Sequence, residues 1–124
     1  MTHVLIDTFL HGGPPVMVMA GVTLAQGLLC LVQVAARKRW NLTPLLWTLV
    51  GLTVVGGSLV AHVEEIEVFA TAAVASYEAK ELILASGMLE ASRITTAALL
   101  LGAVQAVMAG GAHGARSTAR LRTE

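Results

Sequence analysis

Few side chains in this chain are of a type that does chemistry, and the ones that are lie mostly within apolar surroundings. Thr53, Thr95 and Thr96 stand inside long uncharged stretches. A threonine hydroxyl in such a place has two uses. It donates back to the carbonyl one turn earlier in its own helix, or it faces a water-filled path, where it orders water and hands protons on. Glu90 and Arg93 are three residues apart, a spacing that puts them on one helical face and lets them pair. At the mouth of a membrane helix they are either a functional pair or interfacial side chains reaching for the headgroups. Gln105 lies deeper in the same stretch, and its amide needs a partner. Gln26 is the candidate within the chain.

Other constellations point away from chemistry. His62, Glu64 and Glu65 cluster in sequence, but positions two apart on a helix diverge by about 200°, so solvated headgroup contacts are expected there and no metal. The single cysteine, Cys30, excludes an intramolecular disulfide and a cysteine zinc cage. The sequence holds no Ser/His/Asp set, glycine-rich phosphate loop or HExxH motif, so neither an enzyme activity nor a cofactor is expected. Formal net charge is zero and the aromatics are two Trp, one Tyr and two Phe, which gives nucleic acid neither a basic surface nor a stacking platform.

The elements that would position these residues are set by the apolar runs. Of the 124 residues 56% are hydrophobic and 13% charged, against roughly 25% charged in an average soluble domain. A chain crossing the hydrocarbon needs about 20 apolar residues, and three uncharged runs qualify: Pro15 to Ala36, Asn41 to Val63 and Ile94 to Ala115. The expected fold is all-α: one integral membrane domain over residues 1–124 with transmembrane helices at 15–36, 43–63 and 94–112. Pro14 and Pro15 after Gly12 and Gly13 mark the start of the first. Before them, Met1 to Leu10 is a short amphipathic stretch. No basic region precedes the first run, so a retained helix is expected and not a cleaved secretory signal. Residues 64–90 are rich in helix formers and read as an additional outer, interfacial helical segment, or as a continuation of the second helix, with Gly87 turning the chain. The tail from Gly110 onward is expected to fray.

Charge placement gives an orientation. Arg37, Lys38, Arg39, Arg116, Arg120 and Arg122 share one side of the expected membrane, and only Lys80 and Arg93 lie on the other. Basic residues resist export, so the N-terminus is expected outside and the C-terminus inside. Seven acids, Asp7, Glu64, Glu65, Glu67, Glu78, Glu81 and Glu90, take the outer side against Glu124 inside. Small residues mark where helices in lipid come close. Gly51, Gly56 and Gly57 in the second helix, and Gly102 and Gly110 in the third, are the expected packing positions, either within one chain or between copies.

Read in order, three stretches resemble the proton-channel family that includes MotA, TolQ and ExbB. Asp7 to Met17, DTFLHGGPPVM, is similar to the family's start: an acid, an aromatic and a Gly-Gly-Pro turn into a helix that ends on a basic cluster, here Arg37 to Arg39. Leu49 to Val60, LVGLTVVGGSLV, resembles the second helix, with Thr53 and Gly56 in the places of its threonine and glycine. Gly87 to Gly102, GMLEASRITTAALLLG, follows the order that opens the last helix, with Glu90, Ala91, Thr95, Thr96 and Ala97 matching. The large cytoplasmic domain that members carry between their first and second helices has no counterpart here.

The resemblance implies a bacterial inner-membrane subunit of a complex driven by the proton motive force. It implies a homo-oligomer, a pentamer, ringing the single membrane helix of an ExbD, TolR or MotB-like partner in the lipid bilayer. Thr53, Thr95 and Thr96 would then line the ion pathway, with Glu90 at its outer mouth. A non-conducting scaffold or accessory subunit is the alternative reading. Because six of the eight basic residues share one side, a reporter fused after Glu124 is expected in the cytoplasm and one inserted at Ser76 outside. Protease protection of the Ser76 reporter in spheroplasts would reverse the whole topology.

Overall fold

The computed structural model describes residues 2–36 and 40–121, which form four helices: α1 (Thr2–His11), α2 (Gly13–Ala35), α3 (Thr43–Val74) and α4 (Tyr77–Leu121). The basic cluster Arg37 to Arg39, together with Arg122 and Glu124, lies outside the described residues. Three helices, α2, α3 and α4, are long and apolar enough to cross a membrane, and the chain is an all-α multi-pass membrane protein. At 1.5 Å per residue they reach ~34, ~48 and ~68 Å, against ~30 Å of hydrocarbon. The last two must therefore project well beyond it.

The surplus is a helical hairpin. Of the two alternatives for residues 64–90, continuation is seen: α3 runs on to Val74, and α4 begins at Tyr77 after two intervening residues. The turn falls at Ala75 and Ser76, not at Gly87. Ala75 is extended, with φ −79° and ψ 156°, and Ser76 passes its carbonyl to the Lys80 N–H at 3.0 Å. Serine ahead of a first turn containing Glu78 is a helix-start signal in its own right. Gly87 instead sits within α4, where an added Cβ would overlap the Val68 side chain. The helix also continues through Gly110, Gly111 and Gly114 to Leu121, past the point where fraying was expected.

At the other end of the chain, Gly13 holds φ +67°, a conformation that admits glycine readily, and Pro14 and Pro15 then open α2 without losing any helical N–H bond. This corner turns α1 back against α2 and α4. Gly12 has to be small here, since a Cβ would meet the Thr8 carbonyl and Val16.

Helix α4 is the centre of the bundle. Both α2 and α3 lie along it, and they touch one another over a shorter stretch. Its buried positions are largely alanines, Ala91, Ala97, Ala98, Ala109 and Ala112, which let neighbouring backbones approach. Val16, Met19, Ala61, Ile94, Ala97, Ala98 and Leu101 form one buried cluster, and Cys30, Leu46, Ala109 and Ala112 form another toward the end where α2 joins α3.

Of the five glycines expected to pack, two do so within the chain. A Cβ on Gly57 would overlap Ala98 and one on Gly102 would overlap Val54, whereas Gly51, Gly56 and Gly110 have nothing within 4 Å. Gly57→Leu and Gly102→Leu are therefore expected to destabilise the isolated subunit by about 1–3 kcal/mol, the usual cost of overpacking a tight contact. Gly51→Leu should leave it unchanged. Unfolding of the purified variants in detergent checks this, and equal stability of all three would refute the assignment of α4 as the packing centre.

Candidate functional site

The helix pairing sets the depth of every candidate residue. Gly57 meets Ala98, Gly102 meets Val54 and Gly87 meets Val68, so α3 and α4 run antiparallel in a register where Thr53 stands near the level of Gly102. From there Thr95 is ~10 Å along α4 and Glu90 ~18 Å, at 1.5 Å per residue. The sequence candidates are thus spread along the bundle and do not converge within one chain.

Their hydroxyls differ as well. Thr95 donates to the Ala91 carbonyl at 3.1 Å and Thr96 to the Ser92 carbonyl at 2.8 Å, each within its own helix. Thr48, Ser58 and Thr71 do the same. Thr53 does not. It is 4% exposed, and its hydroxyl has no hydrogen-bond partner among the described residues. Glu90 is exposed, and Arg93 is half-buried.

Thr53 borders a groove of about 490 Å³ between α2 and α3, where those helices stand apart. Pro15, Val18 and Val22 form one wall, Leu52 and Val60 the other, and Gly56 leaves part of it open because nothing occupies the place of its missing side chain. Thr53 supplies the only hydroxyl among the described residues of this lining. It lies near the middle of the uncharged stretch of α3, hence near mid-depth in a bilayer.

A second polar feature runs between α2 and α4 and was only partly legible in the sequence. Gln105 and Gln26 do come together, but the Gln26 amide meets the Gln105 backbone and not the Gln105 amide. Gln26 Nε2 donates to the Gln105 backbone carbonyl at 3.0 Å, and Gln105 Nε2 donates to Thr23 Oγ1 at 2.8 Å. Thr23 in turn donates to the Met19 carbonyl at 2.9 Å. Nearer the α2–α3 connection, Gln33 Nε2 donates to Thr43 Oγ1 at 3.1 Å. The three buried glutamines each keep an Oε1 without a protein partner. Each such atom destabilises the fold, and the cost is tolerated because the amide donors tie α2 to its neighbours.

His62 Nδ1 lies 3.3 Å from Glu65 Oε2 on the exposed face of α3. No three metal-ligating side chains converge among the described residues. Compared with models of known families, with curated proteins and with solved structures, the chain matches none.

These hydrogen bonds separate structural from uncommitted threonines. Thr23→Val removes the acceptor of Gln105 and is expected to cost about 0.6–1.7 kcal/mol, the range for interhelical hydrogen bonds in membranes. Thr53→Val removes no protein hydrogen bond and should be neutral within about 0.5 kcal/mol. Equilibrium unfolding of the two variants in the same detergent measures the contrast, and an equal loss in both would mean that Thr53 is a packing residue.

Proposed function

We propose that this chain is a channel-forming subunit of an oligomeric, proton-motive-force-driven complex of the MotA, TolQ and ExbB kind, working with a single-pass ExbD, TolR or MotB-like partner in the inner membrane. The observation that carries this reading is the uncommitted Thr53 hydroxyl beside an apolar groove at mid-depth. A hydroxyl in lipid without a partner is unfavourable, so a neighbouring helix or a file of water gives it a use. A partner's helix laid against α3 would place its ionisable side chain next to the one group there able to order water. The open faces at Gly51, Gly56 and Gly110 suit contacts between copies, since helices in lipid associate through small residues. The N-terminus and the α3–α4 hairpin would face outward, and the basic end would face the cytoplasm.

A specific observation favours the second reading, a non-conducting scaffold or accessory subunit. Thr95 and Thr96 spend their protons on their own helix, and Glu90 stands far from Thr53, so these candidates form no continuous polar path among the described residues of one chain.

Proton flux in cells that hold both this protein and its partner separates the two. Thr53→Val should lower flux at least about tenfold, as for loss of one positioned proton-transfer group, while Thr95→Val at equal membrane level changes little. Normal flux in Thr53→Val would remove Thr53 from the path. Absence of flux in the parent, with its partner present, would establish the scaffold.

A further inference from the structure

A separate cavity of about 240 Å³ lies where the start of α3 meets the last turns of α4, lined by Asn41, Thr43, Pro44, His113, Arg116 and Ser117. No carboxylate of the described residues lines it. Arg116 and Asn41 keep donors that their mutual hydrogen bond does not use, and the Arg116 Nε–H is buried without a hydrogen-bond partner. Arg116 donates to Asn41 Oδ1, which leaves the Asn41 amide N–H groups and further guanidinium N–H groups without that contact. Thr43 Oγ1 accepts from Gln33, so its own proton is directed away from that bond. The Ser117 hydroxyl donates to the His113 carbonyl at 3.2 Å, and His113 also lines the cavity. The unused Arg116 and Asn41 donors, with the positive charge of the guanidinium, suit an anion.

Its depth narrows the chemistry. Arg116 is the first charge after the uncharged stretch of α4, and Trp40 and Trp47, both about half exposed, stand around the start of α3. Tryptophan favours the headgroup level of a bilayer, which puts the cavity where lipid phosphates lie.

We propose that this cavity is a phosphate site, in which Arg116 and Asn41 grip a phosphate group at the membrane surface and pin α3 to α4. The site is independent of any conducting role. Two sources carry that group, an anionic phospholipid headgroup or free inorganic phosphate, and the experiment distinguishes them. The full-length protein is reconstituted in vesicles of mixed phosphatidylcholine and phosphatidylglycerol, extracted in mild detergent and weighed intact with its retained lipid. In parallel, its melting in detergent is followed with inorganic phosphate against chloride at equal ionic strength.

Two variants interrogate the site. Arg116→Gln removes the charge. Asn41→Asp keeps the size and the link to Arg116 but places a negative charge where the phosphate would sit. Hydrogen bonds to charged groups support an expected fall of about tenfold or more in phosphatidylglycerol retention in both variants. Asn41→Asp should remain as stable as the parent, which excludes unfolding as the cause. Retention of phosphatidylglycerol lost in the variants assigns a lipid. Stabilisation by inorganic phosphate lost in the variants, with no lipid preference, assigns free phosphate. Equal retention of both lipids, unaffected by Asn41→Asp and accompanied by no phosphate stabilisation, would overturn the site.

Discussion

Close approach of backbones along α4 is the contact on which the other features rest. Lipid tails are as apolar as leucine, so helices in a membrane gain little from hiding apolar surface and must gain from van der Waals contact at short range. Alanines at 91, 97, 98, 109 and 112 and glycines at 87 and 102 provide that range along most of α4. Helices α2 and α3 are both drawn to this one surface, and as a result they part from each other. The groove beside Thr53 is what remains between two helices that share a third.

The polar groups of the interior add specificity to that contact. Van der Waals contact between small residues is nearly indifferent to a slide of one helix along another, but a hydrogen bond is not. Gln26 reaching the Gln105 carbonyl and Gln105 reaching Thr23 hold α2 and α4 at one register. The link from Gln33 to Thr43 ties the end of α2 to the start of α3. Unpartnered amide oxygens at all three glutamines set a penalty against this gain. The balance is a bundle held in one alignment at some expense of stability.

Beyond the hydrocarbon the constraint changes. The hairpin formed by the ends of α3 and α4 is exposed to water or headgroups, yet Val74 and Tyr77 at its tip are 87% and 84% exposed and Phe69 and Leu82 also point outward. Acidic residues accompany them along both arms. Helix is retained there because the sequence is rich in good helix formers and because Val68 packs into the gap left by Gly87.

Much of the architecture was written in the sequence, since the length of an uncharged run and the absence of charge in it are properties of the chain alone. The three spans, the Gly-Pro corner before α2 and the helical character of 64–90 all follow from composition and residue type. The turn at Ala75 and Ser76 was also legible, through Ser76 and Glu78, but Gly87 was the louder signal and proved to be a packing residue. Glycine means either a turn or a close neighbour, and only the presence of Val68 decides which. The same holds at the candidate site. A threonine in an apolar run bonds to its own helix or does not, and sequence spacing is equal for both. Tertiary structure gave Thr95 and Thr96 the first state and Thr53 the second. It also separated Gly57 and Gly102, which face a partner helix, from Gly51, Gly56 and Gly110, which face open space. Which face of a helix meets another depends on the rotation of both about their axes, and that rotation is settled only when all three helices pack together.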